Sequence, residues 1–457
     1  MMNIVLLGGS NSIRKGALKH GIKEAIETFN TKGSVESKFD TQFNLEQIPG
    51  FIGGGGDLPS LQKEHKEPLK FCNLALGATT SIQNLYELKR TKNKEILENA
   101  ALIITESNVN EAHYDAVNIE KLPDAILYRN IAWYYAALYA LQKPVVVILL
   151  PFSVGRFAFV NNIHRKFCLH YGFNCIDMQK FYQKNDLVEF GHRIDWAHPL
   201  GEIMHELGRN IIAVYRHFKS PKPKVKVSKK TEFVVLNFNA LEVCGNLTYA
   251  HLQNSAFDEY AGKLTQEVYL KIPNIYCGFT PIALHTWNND GKVIAPIGIA
   301  PYIWTRVYLQ NRQLSLSKET NYLNSVTEIN YSNAFVVDDA TIIGFNPIDD
   351  AMIKEYHCGT YSFKEGAIKA DTHCNLVAIM LARGEMLPKE SEYINLAKED
   401  IAIPKEYNFE ALIPPVHRYK TMIDEYCQTA DALKFNAYAQ KITQLQARLK
   451  ALGVTDI

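Results

Sequence analysis

Met1-Met-Asn-Ile-Val-Leu-Leu-Gly-Gly-Ser10-Asn-Ser12 is the stretch from which the rest of the chain is read. Ile4 to Leu7 is an apolar, branched run of strand length. Gly8 and Gly9 follow, then Ser10, and a helical pattern runs to about Phe29 with Ile13, Ala17, Ile22 and Ile26 roughly on one face. The order is strand, glycine turn, serine, helix. Glycines let the backbone turn without a Cβ clash. The turn leaves Ser10 where helix N–H groups point outward and favour negative charge. Such a serine is well placed as a nucleophile, but taken alone it reads more readily as an ordinary helix cap. The rest of the chain has to decide between the two.

Apolar runs and helical patterns then alternate. Phe71 to Thr80, Ala101 to Thr105, Pro144 to Pro151 and Phe173 to Asp177 are strand-like, and helical patterns lie between them. This alternation predicts an α/β fold, a flavodoxin-like doubly wound sheet of five parallel strands over residues 1–218. Such sheets bind ligands at the carboxyl ends of their strands. Ser10, Gly77 and Asn110 all fall there. The run Gly53-Gly-Gly-Gly56 lies in a polar stretch and reads as a loop at the rim or a lid, since no Gly-Lys-Ser/Thr phosphate motif follows it.

Lys219 to Lys230 carries six lysines and two prolines and reads as a linker. Residues 231–386 change texture. Short β-type runs recur at Phe233–Phe238, Val268–Ile272, Pro281–Trp287, Tyr302–Leu309, Thr341–Phe345 and Leu376–Leu381, which predicts an all-β, sandwich-like domain. Trp287, Tyr302, Trp304 and Tyr308 form an aromatic set that fits a core and also fits sugar stacking. Asp371, His373 and Cys374 read either as a second chemical set or as plain strand alternation. Residues 387–457 end in a helical pattern. There Phe435, Tyr438, Ile442, Leu445, Leu449 and Leu452 step by three and four, a stripe too short to establish a coiled coil, expected to pack on the protein itself in preference to a partner helix.

The bulk numbers narrow the function classes. The 457 residues are 47% hydrophobic and 21% charged, with a net charge of +1, which speaks against a nucleic-acid partner. Eight cysteines, at 72, 168, 175, 244, 277, 358, 374 and 427, contain no CxxC pair, so neither a zinc site nor a disulfide framework is expected. Reduced thiols, the lack of a leader-like start and the lack of an apolar run of membrane length lead to the expectation of a cytoplasmic protein with no membrane span.

Four short motifs stand in order along the first region: Gly8-Gly-Ser10-Asn, Gly77-Ala-Thr-Thr, Val109-Asn110-Glu-Ala and Asp195-Trp-Ala-His198-Pro. Together they resemble the SGNH (GDSL-like) hydrolase family over roughly residues 3–215. The resemblance implies a catalytic set of Ser10 as nucleophile, His198 as general base and Asp195 as its orienting carboxylate. It also implies an oxyanion hole made from the Ser10 and Gly77 backbone N–H groups and the Asn110 side chain. Asn108 is a rival for the last role. The chain departs from the family at Gly9, Asn11, Asn108 and Glu111. Each motif also has an ordinary reading, as a cap or a loop residue.

The chemistry suits these residue types. A serine hydroxyl needs a base to take its proton. Neutral histidine is that base near pH 7, and a carboxylate fixes its tautomer. The function implied is a serine esterase removing a small O-acyl group, acetyl above all, from a carbohydrate. The alternatives are a sugar O-acetyltransferase with acetyl-CoA as co-substrate and an inactive glycan-binding protein. No cofactor or metal is expected. The expected partners are a small-molecule or glycan substrate and, through the C-terminal helix, another copy of the chain.

Overall fold

The computed structural model of the protein describes residues 1–32, 67–77, 80–117, 122–193, 195–225, 231–288, 303–321, 323–330, 334–346, 350–355, 368–369 and 372–451. The Gly53–Gly56 loop, Tyr302, Cys358, Asp371 and Leu452 lie outside the described residues, and so do the linker residues from 226 to 230.

β1 (Met2–Leu7), β2 (Leu69–Asn73), β3 (Ala100–Thr105), β4 (Val145–Leu149) and β5 (Asn174–Asp177) form an all-parallel five-stranded sheet in the order β2-β1-β3-β4-β5. This is the doubly wound architecture expected from the alternation. Helices Leu18–Lys32 and Gly201–Ala213 pack together, and helices Ser81–Lys89, Asp124–Ala140 and Phe157–Tyr171 form a second group. With helices on both sides, β1, β3 and β4 have almost no exposed position, which is why they read as unbroken apolar runs.

The second region supplies β6 (Glu232–Asn237), β7 (Glu242–Cys244), β8 (Thr248–Gln253), β9 (Asp258–Leu264), β10 (Tyr269–Lys271), β11 (Thr280–Thr286), β12 (Ile303–Gln310), β13 (Ser315–Asn321), β14 (Ser325–Glu328), β15 (Ile342–Gly344), β16 (Ile353–Glu355), β17 (Ile368–Lys369) and β18 (Cys374–Arg383). Among the described residues these make two sheets. One runs β14-β11-β18-β9-β8 with β6 on β18, the other β16-β13-β12-β15-β10-β7 with β17 on β12. Leu236, Leu284 and Leu376 of the first sheet meet Leu270, Val307 and Leu309 of the second in one apolar core, so the region is a sandwich.

The outer face of that first sheet is not free. Ile282, Trp287, Val326, Val377 and Met380 join the core of the parallel-sheet region, against helices Ser81–Lys89 and Asp124–Ala140. β18 is thus buried on both faces, with only its last residue exposed. Trp287 is core. Buried ion pairing fastens the same seam. Arg90 grips both carboxylate oxygens of Glu259 at 2.7 Å, and Tyr86 Oη sits 2.8 Å from His285 Nδ1.

Lys219 and Lys222 are tied to the first region. Lys219 exchanges hydrogen bonds with the Asn174 side chain, and Lys222 N–H donates to Tyr171 O at 2.8 Å. After β18 the chain returns to the parallel sheet. Phe409 N–H donates to Cys175 O at 2.8 Å on edge strand β5, and Asn162 Nδ2 donates to Leu396 O at 2.7 Å.

The final helix, Val416–Ala451, corrects one expectation. Val416, Tyr419 and Ile423 pack on the first core, but Phe435, Tyr438, Ile442 and Leu445 are 51–74% exposed. Among the described residues nothing packs on its distal half, because a straight 36-residue helix spans about 54 Å and runs past the part of the body it starts on. Among the described residues no helix is long and apolar enough to cross a membrane.

Candidate active site

β1 delivers the chain to Gly8, whose φ of +155° suits glycine, and a single helical turn, Ser10–Ile13, follows. There is no room for side chains at this turn. A Cβ on Gly8 would lie 2.4 Å from Ser12 Oγ and 2.6 Å from Glu106 Oε1. A Cβ on Gly9 would lie 1.9 Å from Asn110 Nδ2. The departure at Gly9 therefore has a reason: the Asn110 amide occupies the space that a side chain there would fill.

The loop carrying Asp195 and His198 folds over this turn. Ser10 Oγ is 2.8 Å from His198 Nε2, and His198 Nδ1 is 2.8 Å from Asp195 Oδ2. The three side chains form a continuous line across 188 residues of sequence separation. Asn11 Nδ2 donates to Ala197 O at 3.0 Å and an Arg14 Nη donates to Pro199 O at 3.2 Å, so the serine turn pins the histidine loop from both sides. That accounts for Asn11. Burial alone would raise the Asp195 carboxyl. The Ala197 N–H, the His198 ring and the charge of Arg14 outweigh it and hold the group below the ordinary aspartate value. An ionised Asp195 accepts from Nδ1–H and leaves the Nε2 lone pair facing the serine hydroxyl.

The two rival asparagines separate cleanly. Asn108 Nδ2 donates to Leu150 O and Asn161 Oδ1, and Asn108 Oδ1 accepts from Leu150 N–H, which ties the end of β3 to the end of β4. Asn110, two residues on, is buried against Gly9. Gly77 lies on the flank of the same turn, where an added Cβ would meet the Ile13 side chain at 3.2 Å. Leu76 N–H donates to Gly8 O at 3.0 Å and carries that segment along the end of β1. All five predicted residues, Ser10, Gly77, Asn110, Asp195 and His198, are thus gathered around one turn.

Sequence reasoning missed two buried acids, Glu106 and Glu328, and named Glu111 only as a departure from the family motif. Glu106, fully buried at the end of β3, accepts from Gly9 N–H (2.8 Å), Ser12 N–H (3.2 Å) and Ser12 Oγ (2.8 Å), all on Oε1. Burial pushes its carboxyl up to about 7 against the pull of those donors. Glu111 accepts from Ser81 N–H at 2.8 Å, at the start of the helix that follows the Gly77 segment. Thr80 caps that helix, accepting from Ile82 N–H, and donates across the seam to Glu328 of β14 at 3.3 Å. Glu328 also accepts from Asn130 Nδ2 at 2.9 Å, and burial raises it to about 7. The signal for Glu106 was a carboxylate directly after an apolar strand and four residues before Asn110. Nothing in sequence pointed to Glu328, which meets Thr80 and Asn130 from a separate sheet.

An aromatic wall stands beside the triad loop. Trp196, 37% exposed, stacks on buried Phe152 at 5.7 Å and lies 4.8 Å from the His113 ring. Burial and the nearby His198 lower the His113 pKa, with Asp195 opposing them. Of the alternative chemical set in the second region, Asp371 lies outside the described residues, His373 Nδ1 pairs with its neighbour Thr372 at 2.8 Å and Cys374 is buried in the sandwich core. Among the described residues no group of three or more His, Cys, Asp or Glu side chains is arranged to hold a metal ion.

No protein-family model matches the chain, and no curated protein matches it. Among solved structures its N-terminal half is similar to a lipase/acylhydrolase from Enterococcus faecalis, at 15% identity over 49% of this chain and 100% of that one, with a TM-score of 0.32. A lipase from a goat rumen metagenome (14% identity, 47% and 98% covered, TM-score 0.31) and an acetyl xylan esterase (17% identity, 47% and 98% covered, TM-score 0.30) are similar over like extents. At these scores the functional reading rests on the site geometry alone.

Proposed function

We propose that the chain is a serine-dependent ester hydrolase of the SGNH type that removes a small O-acyl group, acetyl in the first instance, from a carbohydrate. The observation that carries this is the unbroken line Ser10 Oγ–His198 Nε2 and His198 Nδ1–Asp195 Oδ2, each 2.8 Å. Ser10 Oγ attacks the acyl carbon while its proton passes to His198 Nε2. The oxyanion that forms is met by the Ser10 and Gly77 N–H groups and the Asn110 amide. Collapse expels the alcohol oxygen, which takes the proton back from His198. Water then attacks acyl-Ser10, gives its proton to the same nitrogen, and the carboxylic acid leaves as Ser10 regains its hydrogen. Fixed donors are what make the oxyanion accessible, and loss of one typically costs about 10²–10³ in rate.

The exposed Trp196 face next to the triad supports a sugar as the acyl bearer, because a ring face stacks on the apolar side of a pyranose. The test is release of acetate from a panel of O-acetylated mono- and oligosaccharides, run beside transfer from acetyl-CoA to the same sugars without acetyl. Acetate release that depends on Ser10 supports the hydrolase. Transfer without release makes the chain an acetyltransferase. Neither, with intact folding, returns it to a glycan-binding protein.

A further inference from the structure

We propose that two copies of this chain associate through the distal half of the C-terminal helix as a parallel, in-register two-stranded coiled coil. The proposal is independent of the reaction assigned above. The helix Val416–Ala451 leaves the body after its first turns, where Arg193 and Lys420 hold Asp424. Every described residue from 431 to 448 is exposed. Along that free length Phe435, Ile442 and Leu449 recur every seven residues, and Tyr438 and Leu445 fall three residues after the first two. This is a strict a/d seam, with Ile at an a position and Leu at the following d, the choice that favours two strands. The seam starts sharply: the preceding a and d positions are Gln428 and Asp431.

The flanks set the direction. Lys434, Lys441 and Arg448 occupy the g positions, while the e positions Ala432, Ala439 and Gln446 carry no charge. In an antiparallel pair the g rows face each other, and cation would meet cation. In a parallel pair each g residue faces an e residue of the partner helix, so Lys434 meets alanine and Lys441 meets glutamine. A helix lying on a lipid surface has a broad apolar face opposite a strongly charged one. Here the far face mixes Asn436, Gln440, Thr443 and Gln444 with Leu433, Ala437 and Ala447 and carries no charge, unlike the charged face of a lipid-bound helix. A second copy fits better than a membrane.

The area suffices. With about 200 Å² per large side chain, the exposed fractions of Phe435 (74%), Tyr438 (66%), Ile442 (55%) and Leu445 (51%) leave about 500 Å² of seam per helix. Two helices would cover about 1,000 Å², the lower bound for a specific interface.

The experiment is sedimentation velocity of the full chain across micromolar concentrations, with orientation read by cross-linking. The expected species has twice the 51.8 kDa chain mass. Leu445→Glu and Ile442→Glu, at exposed positions, should return it to a monomer without lowering the thermal midpoint of the body. In a Cys277→Ser, Cys427→Ser background, Leu445→Cys should oxidise to a disulfide dimer because d residues of parallel helices face each other, whereas the outward Thr443→Cys should not. A monomer at all concentrations, a dimer indifferent to both glutamates, or a dimer in which Leu445→Cys fails to cross-link overturns the proposal. So does a monomer that sediments with anionic phosphatidylserine vesicles through this helix.

Discussion

Gly9→Ala isolates the physical relation between the serine turn and Asn110. A Cβ at residue 9 falls 1.9 Å from Asn110 Nδ2, against an ordinary contact of 3.4–4 Å. Something must move by about 1.5 Å to reach the usual closest separation in a packed interior. The backbone on the other side is held by Gly9 N–H donating to Glu106 at 2.8 Å, so the amide of Asn110 yields rather than the turn. The amide is the end of a side chain, so stability should drop by no more than the ~1–3 kcal/mol typical of overpacking. The activity cost is larger. A donor displaced by that distance no longer meets the oxyanion, and the loss in kcat should be about 10²–10³, or about 2.7–4 kcal/mol in the barrier. The assay is steady-state hydrolysis of p-nitrophenyl acetate by Gly9→Ala, Asn110→Ala and the double variant, with thermal midpoints for each. If both changes act through one amide, the double variant is no slower than Asn110→Ala alone. A Gly9→Ala protein with full activity, or losses that multiply in the double variant, would refute the reasoning.

Three further outcomes follow from the same geometry. Asp195→Asn removes the anion that fixes the His198 tautomer at 2.8 Å, and kcat should fall by about 10⁴ with little change in KM, as steady-state kinetics would show. Glu259→Ala takes the bidentate partner from buried Arg90, leaving Glu87 3.6 Å away, and should cost about 3 kcal/mol by urea unfolding. Burial works against the Glu259 charge, but the Arg90 guanidinium, His285 and Lys92 hold the carboxyl down at about 2. Its stabilisation is therefore present above the unfolded glutamate value and lost as pH falls towards 2. Glu106 and Glu328 have the opposite sign. Burial raises both to about 7, so the native state keeps protons that the unfolded chain has released above about pH 4.5. Stability should fall as pH rises from about 4.5 to 7, by at most about 1.4 kcal/mol per pH unit for each acid. Glu328→Gln should flatten that slope in unfolding titrations, and an unchanged slope would show that the acid does not carry it.

How much of this was legible in the sequence depended on where the partners of each residue lie. β1, β3 and β4 are largely apolar runs because their burial is set by local helices, and they could be read directly. The candidate triad residues could be picked out because Ser10 follows an apolar strand and Asp195 and His198 stand three apart in one short motif, which the structure places in the loop before helix Gly201–Ala213. β13 and β14 were missed for a physical reason. Ser317, Lys318, Glu319 and Thr320 are all buried, so apolar alternation is absent, and their polar groups meet residues elsewhere in the chain, such as Glu355, 3.2 Å from Lys318 Nζ, and Arg306, 3.3 Å from Glu319. Glu106 and Glu328 were hidden likewise, since a lone glutamate next to a strand usually marks a solvated edge. The C-terminal stripe was legible as a stripe, but its spacing alone did not say whether the body of the same chain reached it.

The central claim is tested most directly by trapping the nucleophile. Incubation with a fluorophosphonate followed by intact-mass measurement and peptide mapping should show one adduct per chain, on Ser10. It should be absent in Ser10→Ala and formed at least a hundredfold more slowly in His198→Ala, in line with loss of a positioned base. A folded chain that takes no adduct, or one that labels equally well without Ser10, would contradict the account.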